Sequence, residues 1–315
     1  MMKTKTTERW ALTGVRIAPF TQKRNIRRTI GGTALVLIMA LAAGCLAVRD
    51  EAGRKTAATE TMSKSVRPGV LYQYIERDTP RPTRIHVLRI DLTHAERSLA
   101  VTAAPDPDGD GPVETVLSSP HTLARQGNFA AAVNTNPWAM VPDPKTGKTS
   151  GYIAGGACDI SGWAVMDGRQ LSPPQHYCSF WMDGEGAPHL EDVKTPPDGV
   201  RLAVTGFGRL LRAGSVLPGA SDVRHPRTTL GLSQDKRWLV LAVVDGRQPG
   251  YSEGMSEREL AELMVELGCH DATNLDGGGS SVMVLCEKGK PPHIVNRPSD
   301  KEGPRPIPLM LGVRQ

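Results

Sequence analysis

Aromatic residues are scarce in this 315-residue sequence, which has five tryptophans, five tyrosines and four phenylalanines. Glycine and proline are abundant, with 33 and 25 residues respectively. This composition favours turns and short strands over long helices. The chain is nevertheless long enough to bury a substantial core, as one large domain or as two.

The body of the chain also lacks an excess of charge of either sign. The formal net charge is +5, but residues 1–44 contain eight Lys/Arg and a single acidic residue. The rest of the sequence therefore holds 30 Lys/Arg and 32 Asp/Glu. Because a nucleic-acid-binding protein needs a basic face that meets the phosphates, we expect no nucleic-acid partner.

Three common catalytic and nucleotide-binding motifs are missing. No His-Glu-x-x-His occurs, and no two of the eight histidines have the spacing of zinc ligands on a helix. The glycines at 277–279 are not followed by the Gly-Lys-Ser/Thr ending of a P-loop. No Gly-x-Ser-x-Gly nucleophile elbow is present. These absences disfavour a zinc hydrolase, a P-loop nucleotide-binding protein and a serine hydrolase of the nucleophile-elbow type.

The N-terminal segment has the pattern of an export signal. Basic residues precede an uncharged stretch at residues 29–48. The end of its apolar part resembles a bacterial lipoprotein cleavage box, with Cys45 as the lipidated residue. An ordinary secretory signal and an uncleaved anchor helix are the alternatives, and each of the three places the domain outside the cytoplasm. We predict a lipoprotein-like signal peptide at 1–44, a polar tether at 45–68 and an exported, membrane-anchored domain at 69–315.

Four further cysteines follow Cys45, and an even number in an exported protein is compatible with two disulfides. A chain that folds back at the central glycines would bring Cys269 opposite Cys286, so we expect these two to pair across a hairpin. Cys158 and Cys178 are then the candidates for a second disulfide. The alternative is that the cysteines are buried free thiols.

A short acidic segment contains Asp106, Asp108 and Asp110. Several carboxylates in one short loop are typical of a calcium site, since hard cations take oxygen ligands. However, Leu117 stands where an EF-hand loop has its closing glutamate, and a solvated acidic turn is the alternative. The sequence requires no cofactor, and calcium is the one metal that it suggests.

The pattern of apolar residues predicts an α+β fold: a mixed, mostly antiparallel β-sheet with a few packed helices in a single domain. A helix begins after the N-cap Ser119 and stops near Gly127. A second begins at Ser256, which forms a capping box with Glu259. The predicted strands cover residues 70–75, 84–92, 99–103, 129–133, 162–166, 169–171, 202–204, 210–211, 238–244, 272–275 and 282–285.

A run of three glycines follows the predicted strand at 272–275. Three consecutive glycines are costly inside a helix or strand, but they suit a turn in positive φ or a backbone that a ligand approaches closely. Asn274 and Asp276 precede the run and Ser280 follows it. We interpret this segment either as the floor of a polar ligand site or as a hairpin turn whose polar residues bind their own backbone.

Polar residues also follow two other predicted strands. Asn134 and Asn136 come after the strand at 129–133, shortly before Trp138. Amides and an indole suit a sugar site, although an Asn-Pro turn with a packed tryptophan is an equal alternative. Asp245 and Arg247 follow the apolar strand at 238–244, where they form either part of a site or a salt bridge.

These segments together resemble the phosphodiester glycosidase family. The matching pieces stand in the family's order, and the resemblance covers roughly residues 85–313. One stretch departs from the family: residues 134–138 stand where many members have Asn-Gly-Gly-aromatic. The matching pieces are His225-Pro226-Arg227-Thr228, Asp245-Gly246-Arg247, Ser252-x-Gly254-Met255, Asn274-Leu275-Asp276-Gly277-Gly278-Gly279-Ser280-Ser281 and Val295-Asn296-Arg297-Pro298-Ser299-Asp300.

The resemblance implies a glycosidase that cleaves between the anomeric carbon of a sugar and a phosphate oxygen, and the N-terminal signal predicts that it is exported. Its substrates would be sugar phosphodiesters of the N-acetylglucosamine-1-phosphodiester type, or related envelope and capsular glycans. The alternative is a non-catalytic, membrane-tethered protein of the same fold that binds carbohydrate or helps to assemble exopolysaccharide. The oligomeric state is not predicted.

Residue roles follow from this chemistry. Asp276 is the expected nucleophile or electrostatic stabiliser, and Asp245 is the second candidate carboxylate. Arg227 and Arg247 are expected to hold phosphate oxygens. The backbone N–H groups of Gly277, Gly278 and Gly279 are expected to form an anion-binding nest. The remaining expected substrate-binding residues are Asn134, Asn136, Thr228, Ser252, Asn274, Ser280 and Asn296.

Overall fold

The computed structural model describes residues 60–95, 98–109, 111–175, 177–218 and 221–315. The predicted signal peptide and the lipidation site Cys45 lie outside these ranges, as does Asp110. Within these ranges, no helix is long and apolar enough to cross a membrane.

Every predicted strand and helix has a counterpart in the described ranges, which also contain strands that were not predicted. The helices are α1 (Leu92–Ala95), α2 (Pro120–Gln126) and α3 (Glu257–Glu266). The strands are β1 (Glu60–Arg67), β2 (Val70–Arg77), β3 (Thr83–Asp91), β4 (Leu99–Ala103), β5 (Thr115–Val116), β6 (Phe129–Asn134), β7 (Trp138–Met140), β8 (Ala157–Ile160), β9 (Ala164–Met166), β10 (Arg169–Ser172), β11 (Cys178–Met182), β12 (Pro188–Asp192), β13 (Leu202–Thr205), β14 (Gly208–Arg212), β15 (Ser215–Val216), β16 (Arg227–Leu232), β17 (Trp238–Val244), β18 (Asp271–Asn274), β19 (Met283–Leu285), β20 (His293–Ile294) and β21 (Leu309–Arg314).

The strands of the described ranges form four sheets, in which the named strand pairs are all antiparallel. The predicted α+β class, with a mostly antiparallel sheet and few helices, is confirmed. The large sheet has the order β1-β2-β3-β17-β16-β18-β14-β15. The three smaller sheets have the orders β10-β9-β13-β11-β12, β20-β19-β6-β21-β4 and β5-β8-β7.

Strand β17 lies inside the large sheet and is buried on both faces, as its continuous apolar run predicts. Leu239, Leu241 and Val243 pack into one hydrophobic cluster. Val240 and Val244 pack into another, on the face that α3 covers. The alternation of side chains along a strand therefore places this strand between two cores. Its end is held rigidly, which matters because the candidate site begins there.

Helix α3 covers one face of the large sheet and begins with the predicted capping box. The Ser256 hydroxyl accepts from the backbone N–H of Glu259 at 3.2 Å, and the Glu259 carboxylate accepts from the backbone N–H of Ser256 at 2.9 Å. Leu260, Leu263 and Met264 on its inner side are buried. The cap fixes the helix start beside Arg227, the first residue of β16.

Replacing Ser256 with alanine is expected to lower the free energy of unfolding by about 1 kcal/mol, since one N-terminal N–H group loses its acceptor. Urea denaturation measures the loss. Ser63→Ala is the matched control, because Ser63 is exposed on strand β1 and caps no helix. Equal unfolding midpoints for the two variants would contradict the role assigned to the cap.

The domain begins before residue 69, so the predicted tether is wrong over its last residues. Strand β1 spans Glu60–Arg67 and pairs with β2 along its length. Its side chains are mostly polar, and only Val66 packs against the core. The strand is thus held mainly by main-chain hydrogen bonds at a sheet edge, which composition does not reveal.

The predicted hairpin at the glycines is also wrong, and with it the pairing of Cys269 with Cys286. Strand β18 lies in the large sheet between β16 and β14, whereas β19 lies in another sheet between β20 and β6. Cys269 packs beside α3, and Cys286 packs in the cluster around α2.

These two cysteines, like Cys158 and Cys178, are buried free thiols, which was the alternative interpretation. Burial raises the pKa of Cys269 to about 12 and that of Cys286 to about 11. Thiols that remain protonated at neutral pH are poor nucleophiles.

Candidate functional site

The glycine turn connects two sheets and is fixed by backbone hydrogen bonds to two other segments. Leu275 N–H donates to the carbonyl of Thr228 at 2.9 Å, and Asp276 N–H donates to the carbonyl of Thr135 at 2.8 Å. One residue after the first glycine, Gly278 N–H donates to the carbonyl of Pro226 at 2.9 Å. The ends of β6 and β18 and the start of β16 therefore meet at this turn.

Two of the glycines are required by their surroundings. Gly278 has a φ of 61°, which favours glycine, and a Cβ there would lie 3.2 Å from the guanidinium nitrogens of Arg247. A Cβ on Gly277 would lie 2.9 Å from the carbonyl oxygen of Pro226. The turn thus lets a guanidinium approach the main chain closely.

Two of the three backbone N–H groups predicted to form an anion-binding nest are occupied by acceptors within the protein. Gly277 N–H donates to the Asp276 carboxylate at 2.9 Å, and Gly278 N–H is taken by Pro226. These two donors fix the turn and the orientation of the carboxylate. Side chains supply the positive charge beside the turn.

Four basic side chains line a cavity of about 230 Å³ beside the turn. We call this the arginine cavity, defined by His225, Arg227, Arg247 and Arg305. Arg247 is exposed, and its guanidinium contacts His225 Nδ1 at 3.2 Å. Burial lowers the pKa of His225, and the nearby Arg247 and Arg227 lower it further, so the ring is neutral at pH 7.

The arginines differ in how their charge is balanced. Arg227 is buried and forms an ion pair with Glu257 at 3.4 Å, while Arg305 forms one with Asp300 at 2.9 Å. No ion pair of the described residues involves Arg247. Arg247 is therefore the guanidinium that can bind an anion without giving up a carboxylate partner.

A second cavity, of about 420 Å³, adjoins the first and is lined by aromatic rings. We call it the aromatic cavity, defined by Trp138, Tyr152 and Tyr177. The rings of Trp138 and Tyr152 meet edge to face with centroids 5.2 Å apart, and the Arg305 guanidinium lies 4.5 Å from the Tyr152 centroid. Ser280 lines this cavity, as predicted for a substrate-binding residue. Aromatic faces beside polar groups suit a sugar ring.

Asp276 lines both cavities and, among the described lining residues, is the one acidic side chain in either. Burial raises its pKa to about 6, although the nearby Ser280 hydroxyl, the Gly277 N–H, Arg305 and Trp138 act in the opposite direction. A carboxyl group that titrates near neutrality within a cleft is a candidate for chemistry.

Asp245, the predicted second carboxylate, does not line either cavity. It is fully buried, and its carboxylate accepts from Asn296 Nδ2 at 3.0 Å, from Arg297 N–H at 2.9 Å and from the Tyr251 hydroxyl at 3.2 Å. His86 Nε2 lies 3.5 Å from it on the sheet side. Asp245 lies outside both cavities, so the prediction that it is a catalytic group is wrong. Its contacts join the segment at 296–297 to the end of β17.

Several residues that were predicted to bind sugar instead form hydrogen bonds to protein groups around the site. The buried Asn134 donates to the carbonyl of Asp276 at 2.6 Å and accepts from Thr228 Oγ1 at 2.8 Å and from Val282 N–H at 3.0 Å. Its amide is thus occupied by protein groups. Asn134 and Thr228 therefore position the glycine turn through contacts within the protein.

The same correction applies to Asn136, Ser252 and Asn296. Asn136 donates to the carbonyl of Trp163 at 3.2 Å, and Ser252 donates to the carbonyl of Asp245 at 2.7 Å. Asn296 accepts from Met283 N–H at 2.8 Å in addition to its bond to Asp245. All three are buried and lie outside the two cavities. A polar residue in a motif therefore need not face the ligand.

Asn274 stands apart from these, because it lines the arginine cavity as predicted. The lining residues that were not assigned to the site from the sequence include His225, Arg305, Tyr152, Tyr177 and Phe207. His225 belongs to one of the motifs that resemble the family, so it could have been assigned to the site from the sequence. The others lie in loops without a recognisable pattern.

The acidic segment has no metal cluster around it in the part of the chain that the structure describes. Asp106 Oδ1 accepts from the backbone N–H groups of Asp108 and Gly109 at 3.0 and 2.9 Å. Asp108 accepts from Val113 N–H at 3.3 Å. These carboxylates form a turn that binds its own backbone.

The fold and the site define an antiparallel β-protein with an arginine-lined glycine turn. A model of the phosphodiester glycosidase family matches residues 127–314. Because that match spans more than half of the sequence, the chain belongs to the phosphodiester glycosidase family. No curated protein was found to match the chain.

Solved structures share the fold at low sequence identity. The catalytic domain of zebrafish N-acetylglucosamine-1-phosphodiester alpha-N-acetylglucosaminidase, auto-inhibited by its pro-peptide, is 20% identical with a TM-score of 0.57. That likeness covers 84% of this chain and 90% of the zebrafish domain. A predicted exported protein from Burkholderia pseudomallei is 13% identical with a TM-score of 0.59, covering 83% and 97% of the two chains. A hypothetical protein from Synechocystis is 12% identical with a TM-score of 0.51, covering 82% and 65%.

Proposed function

We propose that this protein hydrolyses the bond between the anomeric carbon of a sugar and the phosphate oxygen of a sugar phosphodiester. The observation that carries the proposal is the position of Asp276, which lies between a cavity lined by arginines and a cavity lined by aromatic rings. A phosphate in the first cavity and a sugar in the second would place the scissile C1–O bond beside this carboxylate.

A single carboxylate is sufficient for this reaction. An ordinary glycoside needs a general acid as well, because its leaving alkoxide is strongly basic. A phosphodiester leaves as a weakly basic anion, so protonation contributes little and positive charge contributes more. In the reaction, the C1–O bond breaks and its electron pair stays on the phosphate oxygen. Water supplies the hydroxyl group that bonds to C1 and gives up its other proton to solvent or to the phosphate, so the products are a free sugar and a phosphate monoester.

Each lining side chain has a role that follows from its position in the site. Arg247, the exposed guanidinium without a carboxylate partner, binds the phosphate oxygens, assisted by Arg305 and Arg227. Asp276 in its ionised form stabilises the positive charge that develops at C1, or attacks C1 directly. Trp138 and Tyr152 hold the sugar ring through apolar contacts.

The pH dependence of kcat/KM follows from the raised pKa of Asp276. The active form is the carboxylate, so kcat/KM is expected to fall about tenfold for each pH unit below pH 6 and to be level above it. His225→Gln tests whether the acid limb belongs to Asp276, since the limb should persist in that variant. Activity that rises as the pH falls below 6 would instead assign Asp276 as a general acid.

The function itself is tested by incubating the purified protein with a panel of sugar-1-phosphodiesters and identifying the products by mass spectrometry. The expected products are free sugar and a phosphate monoester. Tight binding of the diesters with no product from any of them would favour the alternative, a carbohydrate-binding or exopolysaccharide-assembly protein.

We further propose that the protein acts outside the cytoplasm and is attached to the membrane through lipidated Cys45. The support is the export-type sequence at residues 1–44. Metabolic labelling with a fatty acid should mark the wild type but not Cys45→Ser. Labelling of both proteins, or of neither, would contradict lipid attachment at this residue.

A further inference from the structure

The arginine cavity is lined by three guanidinium groups, but carboxylates balance most of their charge. Arg227 is paired with Glu257 at 3.4 Å, and Arg305 is paired with Asp300 at 2.9 Å. Among the residues that the structure describes, none forms an ion pair with Arg247. The cavity therefore has one guanidinium charge that no carboxylate partner balances.

Neither of the two balancing carboxylates lines the arginine cavity. Glu257 is held outside it by Ser221 N–H, which donates at 2.9 Å, and by Asn274 Nδ2, which donates at 3.4 Å. Asp300 is packed against the glycine turn, because a Cβ on Gly279 would collide with the Asp300 carboxylate and with its arginine partner. A phosphate in the cavity would be exposed to both negative charges without contacting either carboxylate.

We infer that Glu257 and Asp300 are specificity residues that limit the arginine cavity to a phosphate group with a single negative charge. This inference rests on the proposed function, in which the substrate is a phosphodiester and the product is a phosphate monoester. A diester carries one negative charge, whereas a monoester has a second pKa of about 6 and is a dianion at pH 8. The unbalanced Arg247 matches the diester. The second charge of the monoester finds no partner, so the product is released.

The other titratable side chains that line the cavity do not supply the missing positive charge. Burial, Arg247 and Arg227 lower the pKa of His225, so its ring is neutral at pH 8. Asp276 has a pKa of about 6 and is therefore a carboxylate at pH 8. Its negative charge opposes a second charge on the phosphate. The charges at the cavity thus favour the diester.

Removing the charge of Glu257 would change this balance. Arg227 is 7% exposed, so solvent screens its charge less than it would at the surface. Without the carboxylate charge, Arg227 becomes a second unbalanced guanidinium in the cavity. Coulomb energy is proportional to the charge of the ligand. A substitution that tightens the binding of a monoanion by a given factor should therefore tighten that of a dianion by about the square of that factor.

The test compares dimethyl phosphate with methyl phosphate, which differ by one charge at pH 8. Phosphorus NMR titrations measure both dissociation constants. In the wild type, methyl phosphate is expected to bind no more tightly than dimethyl phosphate. Glu257→Gln keeps an acceptor oxygen but removes the charge, and it should bind dimethyl phosphate about threefold and methyl phosphate about tenfold more tightly. Asp300→Asn is expected to show the same pattern.

Glu266→Gln is the matched control, because it changes the net charge by the same amount. Glu257 and Glu266 are the first and last residues of α3, and Glu266 pairs with Arg77 away from the cavity. Both dissociation constants should stay at their wild-type values in this variant. Urea unfolding checks that each variant folds. Glu257 and Asp300 lie in different segments, so one of the two variants is sufficient if the other does not fold.

The outcomes separate charge selection from the proposed function. Tighter binding of methyl phosphate than of dimethyl phosphate by the wild type overturns the inference. So does an equal gain for the two phosphates in Glu257→Gln or Asp300→Asn, no gain for either, or no measurable binding of either phosphate by any of the proteins. If the expected pattern occurs in a protein that cleaves no sugar phosphodiester, charge selection is supported and the hydrolase is rejected.

Discussion

Replacing Asp276 with asparagine is expected to reduce turnover of a sugar phosphodiester by about three orders of magnitude. The amide keeps the size of the side chain but removes the charge that stabilises the developing cation at C1. KM is expected to change little, because the arginines and aromatic rings that bind the two halves of the substrate remain. Steady-state kinetics on the best substrate of the panel measures both constants.

The same substitution is expected to stabilise the protein above pH 6. The folded-state pKa of Asp276, about 6, lies above its ordinary value of 3.8, so ionisation costs more in the folded than in the unfolded chain. This cost is present above pH 6 and absent below about pH 4, where both states are protonated.

Allowing for partial solvent access, Asp276→Asn should gain about 2 kcal/mol at pH 8 and nothing at low pH. Urea unfolding at pH 8 and at pH 4 measures the two values. A variant that loses activity without this pH-dependent gain in stability would show that the folded protein does not disfavour ionisation of Asp276.

Replacing Asp245 with alanine is expected to lower the stability of the protein greatly. The loss of catalytic activity should be smaller than in Asp276→Asn. Its removal leaves the Asn296 amide, the Arg297 N–H and the Tyr251 hydroxyl without their acceptor inside the protein. Unsatisfied buried donors cost about 1 to 3 kcal/mol each, partly relieved by rearrangement, so the variant should unfold about 3 kcal/mol more easily.

Arg247→Ala is the informative counterpart, because Arg247 follows Asp245 by two residues but is exposed and faces the arginine cavity. It should keep its stability within about 0.5 kcal/mol and lose about a hundredfold in kcat/KM. A stable but inactive Asp245→Ala protein would contradict this assignment of roles and would indicate that Asp245 takes part in catalysis.

Much of the scaffold is readable from local sequence. The apolar run at 238–244 predicts a strand buried on both faces, and the Ser256–Glu259 pair predicts the start of α3, because each depends on neighbours in the chain. The proline-rich region at 172–200 gave no prediction, although it holds the fully buried strand Cys178–Met182. That strand lacks the alternation that marks a half-buried one.

The site is less readable, because its parts meet from distant segments. Asp276 and Arg247 were expected in it, and they line its cavities. Asp245 has the same sequence signature as Arg247, a charged residue at the end of a strand. The signature does not specify whether the side chain points to solvent or into the protein. Arg305 and Phe207 lie far from the motifs in sequence and become part of the site only through folding.

The error at the glycine turn has a related cause. Cys269 and Cys286 are equidistant from the turn in sequence, which predicts a pairing only if the turn joins two strands of one sheet. Here the turn passes from the large sheet to another, so the flanking segments diverge. The turn is a crossover that presents Asp276 between two cavities, and the glycines admit the Arg247 guanidinium rather than closing a hairpin.

The most direct test of the central claim is hydrolysis of a sugar phosphodiester in water enriched in oxygen-18. If Asp276 promotes cleavage at the anomeric carbon, the label will appear in the hydroxyl at C1 of the released sugar, and the phosphate monoester will be unlabelled. Label in the phosphate would mean attack at phosphorus, and it would contradict the proposed glycosidase chemistry.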